Sequence, residues 1–485
     1  LASDLGATQS QLLWVINGYT IALAALLMPI GAIGDRFGRK HILLAGLGVF
    51  AVANVLASLA TSPAQLIAFR VLAGAGAAMI MPVTLSVITS TFPEAERGRA
   101  VGIWAGFAGG GGILGLLSSA ILVDNFTWPW LFVGPVALAL VAAAFTVRFV
   151  PHSKEHSEGR FDVGGSLLSA LAVGGLVLGI HEGPEVGWTS GVALLGLLVG
   201  VASLIGFVVW ERRQEHPLLD VRVFSNRSLA AGSLGLTVSF AIIMGLFLVL
   251  VQFLQAVLGY SAVRAAVGLL PMIAVMMPLS AAATGMAQRF GLRVMMTAGN
   301  IATAAGLVLL ALMASADGGY WPILPGILLL GLGMGLSMSP GTAAITASLP
   351  EEKQGVASAL NDTVREFGGA VGIALIGSVR GAGYASSVSG AAAGLPAEAA
   401  AVVEEGIGGA FAIAPSLGEQ GPAVLAAART AFVDGWQFSM WLSAALAIAA
   451  AVFTAAWIPR HRTATSLVAL DAPDSTTTPE LVAAG

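Results

Sequence analysis

Apolar runs of about twenty residues follow one another along nearly the whole chain, and no other feature constrains the fold as strongly. At ~1.5 Å per helical residue, such a run is long enough to cross a hydrocarbon layer of ~30 Å. Helices are the expected spanning element, because each satisfies its own backbone hydrogen bonds where water is absent. Composition argues against a water-soluble globule: 57% of the 485 residues are hydrophobic and 10% are charged, against ~45–50% and ~25% in ordinary soluble domains. The 62 glycines suit close approach of membrane helices. Cysteine is absent, which excludes disulfides and thiolate metal sites, and no metal or cofactor is expected.

The runs predict thirteen spans, near 11–33, 41–61, 64–88, 99–122, 129–150, 163–181, 191–210, 228–257, 264–286, 294–314, 322–346, 355–379 and 433–457. With the first residue outside, seventeen of the 22 Lys and Arg fall on the cytoplasmic side. Among them are Lys154, Arg160, Arg460 and Arg462. Arg264, Arg380 and Arg429 fall outside, and Arg70 and Arg365 stay within spans, a bias that sets the orientation. The odd number of spans and the lack of an initiator Met predict a further helix before Leu1, with Leu1 to Gly6 as the external loop that follows it. The expected organisation is a helix bundle over 1–150, a linker over 151–226 with two additional transmembrane helices, and a second bundle over 227–462. The second bundle includes an external segment at 385–430, and 463–485 reads as a disordered cytoplasmic tail.

An internal repeat accompanies this division. Gly31 to Lys40 (GAIGDRFGRK) is echoed by Gly285 to Arg293 (GMAQRFGLR), and Pro82, Pro93, Glu94 and Gly98 by Pro340, Pro350, Glu351 and Gly355. Two related halves with substrate bound between them near the midplane is a common transporter plan.

On these residues the chain resembles the major facilitator superfamily. Gly31, Asp35, Arg36, Gly38, Arg39 and Lys40 match its signature loop, and Leu66 to Ala78 resembles its second motif, in which Arg70 is associated with proton coupling. Gly106 and Gly115 match the antiporter motif, which the chain departs from at Leu116, Ser119 and Ala120; small residues at 119 and 120 still allow close packing. Phe253 to Pro271 and Asn361 to Ala374 look like later helices of the fourteen-helix drug:proton antiporters. The resemblance implies an all-α polytopic fold of two pseudo-symmetric six-helix bundles with two additional central helices. The function it implies is export of small amphipathic compounds in exchange for protons by alternating access. A superfamily carrier for another solute, such as a metabolite or lipid, is the alternative.

Physical reasoning assigns roles to the same residues. Asp35 is expected at the N-terminus of the span opening near Gly355, where the helix dipole favours a negative charge, with Glu94 or Glu96 pairing with Arg36 or Arg39. Such contacts form a cytoplasmic latch; a basic loop that only sets topology is the plainer alternative. Within the spans the charged residues are Arg70, Asp362, Arg365 and Glu366. Each costs on the order of 3 kcal/mol against lipid, so they are expected to face a cavity or one another. Glu366 lies about 16 Å into the membrane from Gly355, and Arg365 is positioned to neutralise Asp362. Depth and pairing therefore rank Glu366 first as the carboxylate that exchanges a proton; a structural salt bridge is the alternative for this set, and a tie to backbone carbonyls for Arg70.

Asn17, Tyr19, Trp104, Met244, Phe247, Gln252, Phe253, Gln255, Met338 and Asn361 are candidates for the substrate cavity, and His181 and Glu182 read as interfacial. The three lysines precede His41, Glu155 and Gln354, so no phosphate-binding GK[ST] exists and ATP is not an expected partner; nor is nucleic acid. No enzyme motif is found. The expected partners are the lipid bilayer, protons and a small amphipathic substrate, and the expected location is a cell membrane, the inner membrane of a bacterium.

Overall fold

A computed structural model describes residues 5–151 and 161–459, apart from the side chains of Gln9 and Glu94. Lys154, Arg160, Arg460, Arg462 and the 463–485 tail lie outside the described residues. The described chain is helical. Five long helices come first: α1 (Gln9–Phe37), α2 (Arg39–Ser58), α3 (Pro63–Thr91), α4 (Glu94–Asn125) and α5 (Trp130–Phe149). Two more follow, α6 (Val163–Val186) and α7 (Gly191–Glu211), and then α8 (Arg227–Gln252), α9 (Ala262–Phe290), α10 (Leu292–Met313), α11 (Leu324–Thr346) and α12 (Gln354–Ala392). Short α13 (Ala397–Glu405) and α14 (Ile407–Ile413) precede the last long helix, α15 (Gly421–Trp457).

Local chemistry sets many of the boundaries. Thr8 and Gln11 form a reciprocal capping box at α1, and Ser62, Asp162, Ser190, Asn226 and Ser261 accept from backbone N–H groups at the starts of α3, α6, α7, α8 and α9. Gly38 at φ 102° and Gly291 at φ 90° break the chain between α1 and α2 and between α9 and α10, a conformation open to few residues other than glycine. Among the described residues, twelve helical stretches are long and apolar enough to span a bilayer. Helix α12, which carries Asp362, Arg365 and Glu366, is less apolar but packs against α8, α15 and α1, so it is a span held by protein on several sides.

Helices α1 to α5 form one bundle, and α8 to α12 with α15 form the other. They meet along two seams, α1 against α12 and α4 against α9. Helices α6 and α7 pair through Gly175, Gly179, Gly196 and Gly200, and α6 lies on α1 and α12. Ala24, Val177 and Ala370 form the buried centre of that three-helix contact, so the additional pair covers one seam from the side. Large apolar residues such as Leu138 and Leu198 stay exposed on the outer faces of α5 and α7, where lipid surrounds a membrane bundle.

The 385–430 region differs from its expectation as a segment separate from two spans of ordinary length. Helix α12 has 39 residues and α15 has 37, and at ~1.5 Å per residue each is nearly twice as long as the hydrocarbon layer is thick. Both continue outward, and α13 and α14 pack between their ends. Val388, Val403, Ile407, Val424 and Ala428 join the same core as Phe432 and Trp436, and the Tyr384 hydroxyl donates to the Val403 carbonyl at 2.9 Å. The apolar positions in this Ala-rich stretch are what extend the core beyond the membrane.

Candidate functional site

At one end of the α1/α12 seam, Asp35 occupies the N-terminus of α12. Its carboxylate accepts from the Gly355 N–H at 2.8 Å through either oxygen and from the Val356 N–H at 3.2 Å. Arg39, 1% exposed, donates to the same carboxylate from Nη2 at 3.0 Å and to the Glu351 carbonyl at 3.3 Å. The backbones approach closely here: a Cβ on Gly31 would lie 2.5 Å from the Gly355 carbonyl oxygen. Lys40 turns the other way and donates to the carbonyls of Val147 and Val150 at the C-terminal end of α5, at 3.0 and 2.8 Å. Arg97 of α4 pairs with Glu351 at 3.3 Å on the surface. Charge-assisted hydrogen bonds from Asp35, Arg39 and Arg97 thus tie one bundle to the other at this end.

Further along α12, charge gathers on one turn. Asp362 is 0% exposed; its Oδ1 accepts from Asn361 Nδ2 at 3.1 Å and from Arg365 Nη1 at 3.5 Å, and its Oδ2 is buried without a partner among the described residues. The Arg365 guanidinium lies 4.4 Å from the centre of the Phe240 ring on α8 and 5.2 Å from that of Trp104 on α4, so its two aromatic partners come from different bundles. Trp104 is oriented by its own donation to Thr84 at 3.2 Å. Glu366, one residue on and only partly buried, lies within electrostatic reach of Arg365, Asp362 and Tyr19. Arg70 reaches from α3 over the Tyr19 ring, 4.2 Å from its centre, and donates Nε to the Val15 carbonyl at 3.1 Å. Two acids and Arg365 therefore cluster on one turn of α12 where the bundles face each other, while Arg70 is held by Val15 and Tyr19 of α1.

The sequence comparison gives this geometry its family. Residues 1–373 match the model of the Major Facilitator Superfamily. The chain belongs to that superfamily. It is 32% identical to the methyl viologen resistance protein SmvA of Salmonella typhimurium over 92% of this chain and 90% of that protein. It is 33% identical to the multidrug efflux pump LfrA of Mycolicibacterium smegmatis over 93% of this chain and 89% of that protein. To the tetracenomycin C resistance and export protein of Streptomyces glaucescens it is 32% identical, over 93% and 85%. Among solved structures, the superfamily proton:xylose symporter XylE aligns with TM-score 0.59 at 15% identity, covering 97% of this chain and 93% of that one. The human transporter MFSD10 aligns with TM-score 0.57 at 14% identity, over 92% and 87%. These two likenesses concern the fold. The chain is a multi-pass membrane protein of a transporter superfamily.

Several sequence-predicted positions land elsewhere than expected for a superfamily transporter of this plan. Glu96 is exposed, the Glu94 side chain lies outside the described residues, and a further acid, Glu351, pairs with Arg97 while its carbonyl accepts from Arg39. Depth and enclosure do not coincide on α12: Asp362, nearer Gly355, is 0% exposed, while the deeper Glu366 is only partly buried. Depth along a helix does not measure burial, which is decided by which face the neighbours cover. Asn17 faces α6, where it donates to Glu182, which is buried near the C-terminal end of that helix. Phe253 is fully buried 5.0 Å from Trp436 within the second bundle, and Gln255 is exposed on the π-turn (Phe253–Val257) that ends α8.

An apolar cleft within the second bundle is lined by Ile242, Leu246, Phe247, Met272, Leu330 and Met334, with Ser239 and Thr303 as its polar groups. Of the cavity candidates, Phe247 lies there; Met244 packs on Gly369 and Met338 on Gly109. Gly106 packs α4 on Met277 of α9, whereas Gly115 and Ser119 lie on an exposed face and only Ala120 of that end is buried. Sequence reasoning missed the stripe that makes the α4/α9 contact. Gly98, Gly102, Gly106 and Gly110 recur every fourth residue and meet Thr284, Ser280, Met277 and Ile273. The spacing was a legible signal.

Proposed function

We propose that the protein is a secondary active exporter of small amphipathic, drug-like compounds, driven by protons entering across a bacterial inner membrane, without ATP and without chemical conversion of the substrate. The observation that carries this reading is the enclosed Asp362–Arg365 pair, whose guanidinium has one aromatic partner in each bundle. The printed functions of the relatives, resistance and efflux, support the substrate class. Arg365 has Asp362 three residues before it and Glu366 one after, so it can favour whichever carboxylate is ionised. Arg365 faces two carboxylates, so the set carries one negative charge in excess when both acids are ionised and balances when either is protonated. In a low-dielectric setting that imbalance favours a different seating of Arg365 between Trp104 and Phe240, which couples the proton to the bundle interface. Asp35, Arg36, Arg39 and Lys40, with Gly31 and Gly38, act as the cytoplasmic latch of the alternating-access cycle.

The test is transport of a fluorescent organic cation in proteoliposomes under an imposed pH gradient. Wild type should move it against its gradient and stop on addition of an uncoupler. Asp362→Asn and Glu366→Gln should each lower pH-driven export at least tenfold while leaving substrate exchange within a few fold. Export indifferent to the pH gradient in wild type would favour a carrier driven by the solute's own gradient.

A further inference from the structure

From the ends of α6 and α7, we infer that Glu211 and Asp162 share a single proton, and that this proton closes a pH-dependent clasp between the additional helix pair and the linker that leads to α8. The inference goes beyond the proton-driven reading above and does not depend on it, since it holds for a carrier of any solute. Glu211 is the last residue of α7 and is 2% exposed, and Asp162 is the N-cap of α6.

Each carboxyl group has one oxygen satisfied and one left over. Asp162 Oδ1 accepts from the Gly165 N–H at 2.7 Å and from Trp210 Nε1 at 2.9 Å. Glu211 Oε2 accepts from the Leu219 N–H at 3.3 Å. Asp162 Oδ2 and Glu211 Oε1 are both buried, and neither meets a donor among the described residues. A Cβ on Gly165 would collide with both of these oxygens, so they crowd the space that the glycine leaves open, with the two side chains in hydrogen-bond reach of each other. Ionised carboxylates only accept, so the facing oxygens lack one donor. A single proton supplies it and removes the repulsion of like charges.

The helix ends decide which group carries that proton. Asp162 stands at the start of α6, where two N–H donors and the helix dipole favour the ionised form. Glu211 stands at the end of α7, where the dipole disfavours a negative charge, and it is the more enclosed of the two. Glu211 therefore donates from Oε1 to Asp162 Oδ2.

No basic side chain among the described residues takes the proton's place. Lys353 is within electrostatic reach of Glu211, but its Nζ donates to the Pro217 carbonyl at 2.8 Å. Arg212, Arg213 and Arg222 are exposed, as are Glu215, His216, Glu351 and Glu352. Asp220 accepts from the Arg222 N–H at 3.0 Å in its own turn. On α1, which packs against α6, Asp35 is engaged at α12 with Arg36 next in the chain, and His181, Glu182 and Glu185 lie at the other end of α6.

The clasp holds the linker. Leu218 and Leu219, 5% and 3% exposed, join the core that contains Phe207 of α7 and touches Leu168 of α6. The Lys353 bond to Pro217 ties the same linker to the residue before α12, the helix whose N-terminus Asp35 caps. When the pH rises and the proton leaves to water, two anions face each other in a buried space. Glu211 then parts from Asp162, and Leu219 loses its acceptor. The clasp is closed at low pH and opens as the pH rises.

The experiment is hydrogen exchange, read by mass spectrometry, on the purified full chain in detergent between about pH 6 and about pH 9, the range in which a buried carboxyl group beside a second acid loses its proton. Protection of peptides that contain Leu219, corrected for the intrinsic pH dependence of exchange, should fall about tenfold or more in wild type, while peptides from α10 stay unchanged. Glu211→Gln places an amide N–H where the proton was and should keep the protection at every pH. Asp162→Asn reverses the direction of donation and should do the same. Wild-type protection that does not change with pH, or a Glu211→Gln variant that loses it as steeply as wild type, would overturn the inference. If Glu211→Gln does not fold, Asp162→Asn, which keeps a good N-cap on α6, decides the matter by the same two outcomes.

Discussion

The turns after α1 and α9 share a backbone device, Arg-Phe-Gly with the glycine at φ 102° in one and 90° in the other, but the seams beside them differ. In the first, Asp35 precedes the shared tripeptide and caps α12 through Gly355 and Val356. In the second, Gln288 stands in the same place, lies near Gly98 of α4, and lines an open cleft with Ala95, Arg99, Ala281 and Gly285. Both seams use glycine to bring backbones together. The difference is one of charge: a carboxylate accepts several N–H donors at once and benefits from a helix N-terminus, whereas a neutral amide gains neither. Pseudo-symmetry of fold therefore does not carry over to symmetry of closure.

The largest effect is expected from removing that charge. Asp35→Asn weakens the bonds to Gly355, Val356 and Arg39, and charge-assisted bonds of this kind are worth about 1.5–3 kcal/mol each in stability. Export should fall about tenfold or more, with substrate affinity within a few fold, whereas Gln288→Ala should change export less than about twofold. Equal losses in the two variants, measured in vesicles at matched expression, would break the comparison.

A second expectation concerns packing at the other seam. A Cβ on Gly102 would meet the Ser280 carbonyl oxygen at 2.6 Å, while Gly115, on the same helix, has nothing within 4 Å. Gly102→Val should therefore destabilise the protein by about 1–3 kcal/mol through overpacking, seen as a lower unfolding temperature in detergent. Gly115→Val should leave that temperature nearly unchanged, and a matching drop at both positions would remove the glycine stripe from the account of the seam.

The smallest effect is expected at the surface. Arg97 and Glu351 pair at 3.3 Å, with the Glu351 side chain 77% exposed, and exposed pairs contribute about 0.2–1 kcal/mol. Arg97→Gln should alter export less than about twofold, and less still at high salt. A loss as large as that of Asp35→Asn would move the weight of the latch from the buried carboxylate to the rim.

The sequence by itself determined the helical membrane class, the order of the spans, the two-part organisation and the meeting of Asp35 with the start of α12. Each follows from a one-dimensional signal: length and apolarity of runs, placement of basic residues, and a glycine-framed charged motif repeated about 250 residues later. Arg365 beside Asp362 was also legible, because residues three apart on a helix are neighbours. What only tertiary structure decided is which face of each helix is covered. That choice made Asp362 the sealed acid rather than Glu366, turned Asn17 toward α6, buried Glu182, and gave Arg365 aromatic partners 125 and 261 residues away at Phe240 and Trp104. In an amphipathic soluble helix the polar face announces the outside. Here lipid and protein interior are both apolar, so the sequence carries little contrast between them, and the neighbours of each side chain emerge only when the helices pack.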